Sequence, residues 1–128
     1  PMAGAARPDA LFLMAHCWRL TDAIHAGELM TILGGREAVE ARGWREAELG
    51  RYLDLLAPGP EPAVSPERIV SVLGRRDRIT PFSSGADLIN SWAVPLDNRF
   101  IWKRGHFSIP ATSTRMTEPA DRLRQILR

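Results

Sequence analysis

The sequence predicts an α/β domain: about three parallel strands, with covering and cap-like helices. Three observations carry that expectation. Short strand-like runs, rich in apolar side chains, occupy residues 10–15, 69–73 and 98–102. Helical periodicity fills the intervals between and after them, giving the order strand, helices, strand, helix, strand, helix. The second and third runs each lead into a glycine followed by a residue able to handle protons: Gly74 before Asp77, and Gly105 before His106.

Residues 1–8 are small and bounded by proline, and read as a poorly ordered end. Ala10-Leu11-Phe12-Leu13-Met14-Ala15 is continuously apolar, which predicts a strand buried on both faces. His16, Cys17, Trp18, Arg19 and Leu20 would then lie at its C-terminal end, where ligands bind in open parallel sheets. Thr21-Asp22 can cap a helix running to Leu33, weakened at Gly27 and stopped by Gly34-Gly35. A second helix fits residues 36–41 and ends at Gly43. A third fits 44–56, with Trp44, Ala47, Leu49, Leu53 and Leu56 at helical spacing. These helices, about 21–56, look like a cap inserted between strands; the plainer reading is that they cover one face of the sheet.

The proline-rich stretch 57–66 is a stiff connector within one domain. Residues 69–73 are rich in β-branched side chains between Pro66 and Gly74, a strand pattern. Ser84 and Asp87 resemble an acid variant of a capping box, so Ser83 and Ser84 read as caps of a helix carrying Leu88, Ile89 and Trp92 and ended by Pro95. The last helix, 115–127, contains Pro119, which moves its start towards Glu118.

Composition bounds the function classes. With 128 residues and 45% hydrophobic content, the chain can bury one core. The formal charge of +2 and a pI near 9.4 come from arginines spread along the sequence. No basic run is interleaved with aromatics, which argues against nucleic acid. Cys17, the single cysteine, cannot form an internal disulfide, which favours a reducing, cytoplasmic setting. No apolar run reaches the roughly 18 residues of a membrane span, and the first residues lack a signal-peptide layout. A start at Pro1 rather than Met suits an excised or processed fragment.

The chemistry concentrates at two strand ends. Asp77 follows a strand and a glycine turn; it can be a turn aspartate or the acceptor for an imidazole N–H. His106 follows Gly105 at the end of the third run; it can be a loop histidine or a general base. The pair is more informative than either member, because the topology delivers both to the C-terminal ends of neighbouring strands. Around them stand Arg75, Arg76, Arg78, Lys103 and Arg104, either solvated loop ends or a rim that attracts an anion. Cys17 reads as a buried, inert thiol. His16, His25 and Asp22 lack a third partner at convincing spacing, so no metal site is assigned; no cofactor is implied.

Gly74-Arg75-Arg76-Asp77-Arg78-Ile79-Thr80-Pro81 resembles the acid turn of α/β-hydrolases, and Arg104-Gly105-His106-Phe107 resembles their histidine turn. The resemblance covers about 68–110 closely and 10–56 loosely; Trp18 to Trp44 resembles an uncharacterised branch of carboxylesterase-like hydrolases. It implies that residues 1–128 are the C-terminal part of an α/β-hydrolase domain, with Asp77 and His106 as the acid and histidine of a Ser-Asp-His triad. No Gly-x-Ser-x-Gly occurs in the chain, so the serine and the oxyanion hole would lie upstream. The implied substrate is a small-molecule ester or acyl compound, and the fragment alone would be inactive. The first strand would present an unpaired edge, met by the missing N-terminal half or by self-association. Two alternatives remain: a non-catalytic binding protein of the same fold, and, well behind, a basic nucleic-acid-binding module.

Overall fold

The computed structural model describes residues 7–128; of the loose end expected at residues 1–8, residues 1–6 lie outside them. Three parallel strands form one sheet in the order β1-β2-β3: β1 (Leu11–Met14), β2 (Ile69–Gly74) and β3 (Arg99–Trp102). Leu11 stands opposite Ile69, and Ser71 opposite Arg99. Parallel neighbours need long crossovers. Here the first contains α1 (Leu20–His25), α2 (Leu29–Ile32), α3 (Gly35–Ala41) and α4 (Glu46–Leu53), and the second contains α5 (Phe82–Ser91). Two further helices, α6 (Ser108–Ser113) and α7 (Glu118–Ile126), follow β3.

β2 is the axis of the core: all six of its residues are buried. Alternation along the strand sends Ile69 and Leu73 to one face, against Leu88, Ile89, Trp92 and Val94. Val72 points to the other face and meets Trp102 and Ile109. Both faces are covered, which is why β2 is apolar throughout except at Ser71 and Gly74.

β1 departs from its expected burial. Its residues are only partly buried and Phe12 is 37% exposed. The cause is position: among the described residues β1 pairs on one side alone, with β2, and α1 packs chiefly on α2 and α4. The helix expected through Leu33 is two helices. Gly27 separates them because a Cβ there would come within 2.5 Å of the Ile79 carbonyl oxygen. The backbone is pressed against the loop after β2, and Glu28 N–H donates to Arg78 O at 2.5 Å. The cap-like helix α4 has no buried residue, so the apolar spacing of Trp44, Ala47 and Leu49 marks an amphipathic helix rather than a covered sheet face.

The expected serine caps of α5 are also corrected. Its N-cap is Pro81, and no side chain caps it. Ser84 lies inside the helix, buried, where its hydroxyl donates to Asp22 Oδ2 and accepts from Trp18 N–H. α5 stops before Pro95 is reached. Ala93 turns left-handed at φ 51°, and Val94 N–H bonds back to Ile89 O at 3.0 Å, closing the helix end. α6, which periodicity did not indicate, tolerates Pro110 because a first-turn residue has no intrahelical N–H partner to lose. The connector is held by two indoles: Trp18 Nε1 donates to Pro58 O at 3.3 Å and Trp92 Nε1 to Gly59 O at 2.9 Å.

Candidate active site

The loops after β2 and β3 are fastened together by backbone. Arg75 N–H donates to Trp102 O at 2.8 Å, and Arg76 N–H to Arg104 O at 3.0 Å. These bonds carry the parallel pairing beyond the sheet into both loops. Gly74 makes the approach possible: a Cβ there would collide with the Arg104 carbonyl oxygen and come within 2.7 Å of Ile109 Cδ1. The acid loop and the histidine loop are therefore delivered as one unit.

Asp77, 6% exposed, uses its two oxygens for different tasks. Oδ1 accepts from Ile79 N–H at 3.0 Å and Thr80 N–H at 2.9 Å, the local turn that aspartate favours. Oδ2 lies 2.8 Å from the Thr80 hydroxyl oxygen and 2.9 Å from His106 Nδ1. Both readings of Asp77 hold at once: one oxygen shapes the turn, and that turn aims the other at the imidazole.

The histidine loop is fixed by Ser108, whose Oγ accepts from Gly105 N–H at 3.0 Å and donates to Gly105 O at 2.9 Å. Phe107 stands edge-on to the imidazole, 5.2 Å between ring centres. His106 keeps a 27% exposed side chain, against 2% for Asp77. With the carboxylate on Nδ1, the neutral ring carries its proton there and leaves Nε2 as the basic nitrogen. Among the described residues Nε2 has no hydrogen-bond partner. An imidazole so held can take a proton at Nε2, with the carboxylate stabilising the charge that results.

The five cations around the site are exposed. Arg78 pairs with Glu28 at 2.9 Å, and Arg75 lies over the Phe82 ring, 5.3 Å from its centre. A surface cleft of about 620 Å³ lies elsewhere: Arg7–Asp9, Glu61–Pro66 and Arg68 line it at the N-terminal ends of β1 and β2. A cleft of about 330 Å³ opens beside Asp77, bordered by Gly27, Glu28 and Thr31. Its position at the strand ends where the carboxylate sits makes it the more relevant of the two.

The other titratable residues at the end of β1 do different work. His16 Nε2 lies 3.0 Å from Ser71 Oγ, its Nδ1 is buried without a partner, and burial lowers its pKa to about 4. Burial also raises the Cys17 thiol, with the Asp22 charge adding to it, which keeps the sulfur protonated and unreactive. Asp22 binds Ser84 rather than a histidine. Among the described residues no three His, Cys, Asp or Glu side chains are grouped to hold a metal ion. Sequence reasoning assigned no role to Thr80 or Ser108; the only signal was that Thr80 lies within the acid turn and Ser108 directly follows the histidine turn.

No protein-family model, no curated protein and no solved structure matches this chain.

Proposed function

We propose that this chain is the C-terminal part of a serine hydrolase of the α/β-hydrolase type, acting on esters or related acyl compounds. Asp77 orients the imidazole and His106 is the general base. The nucleophilic serine and oxyanion hole come from sequence preceding Pro1. The observation that carries the reading is the 2.9 Å contact between Asp77 Oδ2 and His106 Nδ1 at the C-terminal rim of a parallel sheet. The order acid, then histidine, on consecutive strands agrees with it. In that reaction His106 removes the serine proton as the hydroxyl attacks the carbonyl, then returns it to the leaving group.

β1, paired on one side among the described residues, is the strand beside which the serine-bearing strand would lie. That strand, or a second copy of this chain, is the partner we assign to its outer edge. We place the protein in the cytoplasm from its single cysteine. Among the described residues no helix is long and apolar enough to cross a membrane.

The test begins with the coding sequence upstream of Pro1. A serine in a strand–turn–helix elbow is expected there, and its absence removes the chemistry. The longer product should hydrolyse short p-nitrophenyl esters and react with a fluorophosphonate probe. An elbow present but unreactive to both would favour a non-catalytic binding protein of this fold. For the edge, sedimentation of the isolated chain should show self-association; a stable monomer counts against an apolar edge in need of a partner.

A further inference from the structure

Thr80 lies where the ends of all three strands meet. Its hydroxyl oxygen is 2.8 Å from Asp77 Oδ2, 3.0 Å from Ala15 O and 3.2 Å from His106 Nδ1. A threonine hydroxyl has one proton and two acceptor sites. Two of the three neighbours, the carboxylate and the Ala15 carbonyl, are acceptors only. With the proton on either of these, a lone pair faces the third neighbour, His106 Nδ1. That arrangement suits an Nδ1 that carries its own hydrogen, as the 2.9 Å contact of Nδ1 with the Asp77 carboxylate also does.

The Ala15 carbonyl reaches this point through an uncommon backbone. Ala15 sits at φ 49°, in the left-handed region that an alanine occupies at a cost of about 1 kcal/mol. Its N–H still bonds to Val72 O at 3.0 Å, so the residue remains anchored to β2 while its carbonyl faces the Thr80 hydroxyl at 3.0 Å. Thr80 N–H is meanwhile held by Asp77 Oδ1 at 2.9 Å, fixing the threonine backbone in the same turn. Hydroxyl, carboxylate and carbonyl thus form one unit, assembled from the loop after β2 and the end of β1.

We propose that Thr80 is a positioning residue for His106. Its hydroxyl, turned by the Ala15 carbonyl and the Asp77 carboxylate, presents an acceptor to Nδ1–H and disfavours the opposite tautomer. If Nδ1 lacked its hydrogen, the hydroxyl proton would have to turn to the ring and leave both oxygens without it, and Asp77 Oδ2 would face a bare nitrogen. The result is an imidazole whose Nε2 is kept unprotonated and facing away from the acid. This deepens the proposed function and rests on it for its catalytic meaning, but the tautomer can be measured without any catalysis.

The experiment is imidazole ¹⁵N NMR on this 128-residue chain at a pH where His106 is neutral. In the unmodified protein the His106 nitrogens should read as protonated Nδ1 and bare Nε2, with a nuclear Overhauser contact from the Nδ1 hydrogen to Thr80. Thr80→Val keeps the shape and removes the hydroxyl. It should raise the share of the Nε2–H tautomer about 2- to 10-fold, the ratio that one net hydrogen bond supplies. Thr80→Ser should restore the original balance. An unchanged balance in Thr80→Val overturns the proposal, as does a Thr80→Ser protein that is folded yet as disturbed as the valine variant. Should Thr80→Val fail to fold, the unmodified protein still decides: a bare Nδ1, or no contact to Thr80, overturns it. None of these outcomes depends on the upstream serine. A failed ester assay with an intact tautomer result would sink the hydrolase reading alone, and the reverse would sink this inference alone.

Discussion

Two regions of this molecule contain apolar side chains at regular spacing and treat them differently. Around the strand ends, Val72, Trp102 and Ile109 are buried to 8% exposure or less. In the helical segment between β1 and β2, Tyr52, Leu55 and Leu56 are 73%, 82% and 70% exposed. The first region is crossed by hydrogen bonds that tie loop to loop; in the second, short helices pack mainly on one another. Periodicity reports that a helix has an apolar side. Burial depends on whether another element arrives to cover it, and that is decided by topology. The Asp77–His106 pair is built in the covered region, where the packing behind the two residues limits how far either can move.

The comparison can be broken most directly at Ile109, fully buried behind the histidine loop. Ile109→Ala should cost about 2–5 kcal/mol of unfolding free energy in urea titration. A cost below 1 kcal/mol would mean that this side of the sheet is no better packed than the helical segment.

A second effect of similar size depends on pH. Burial holds His16 at about 4, whereas an unfolded chain takes up that proton near pH 6.5. Between those values the unfolded state binds the extra proton, so stability is full above pH 6.5 and is lost as pH falls towards 4. The complete difference is about 3 kcal/mol. Most of it should appear between pH 6.5 and 4.5, where His16→Gln should flatten the urea-midpoint profile relative to the unmodified protein. Equal slopes for the two proteins would show that His16 is hydrated in solution.

Gly74 sharpens the contrast further. Gly74→Ala sets a methyl group against the Arg104 carbonyl and the Ile109 side chain, and should cost about 1–3 kcal/mol. It should also separate the two loops, seen as faster hydrogen exchange at the Arg76 amide. Exchange unchanged from the parent would show that the loops do not depend on this glycine. The smallest effect belongs to the helical segment: Leu55→Ser should change stability by no more than about 0.5 kcal/mol. A loss of 2 kcal/mol would reveal burial of Leu55 in a self-associated form, readily checked by its dependence on protein concentration.

Several features were legible before any coordinates. The three strands fall within one or two residues of the runs that predicted them; β2, buried on both faces, is apolar but for Ser71 and Gly74. Asp77 and His106 stood out because both follow a glycine at a strand end. Other features were hidden. Gly27 breaks its helix for the sake of a carbonyl in the loop after β2, more than fifty residues away in the chain, and nothing local announces that. Ser84 looks like a cap in sequence, yet it spends its hydroxyl on Asp22 because α1 and α5 bring the two together. Thr80 lay in plain view inside the acid motif, but its partners Ala15 and His106 come from other strands.

The sequence alone determined the alternation of strands and helices and the two turns that deliver an acid and an imidazole. Those depend on local chemistry: apolar runs, glycine where the chain must bend or approach, and proline where a helix cannot continue. Tertiary structure alone decided which apolar faces are covered, that Asp77 divides its oxygens between a turn and a histidine, and that Thr80 joins three strand ends. Each of those facts is a meeting of groups distant in the chain, and hydrogen bonds and packing act on distances in space, which no reading of neighbours in sequence contains.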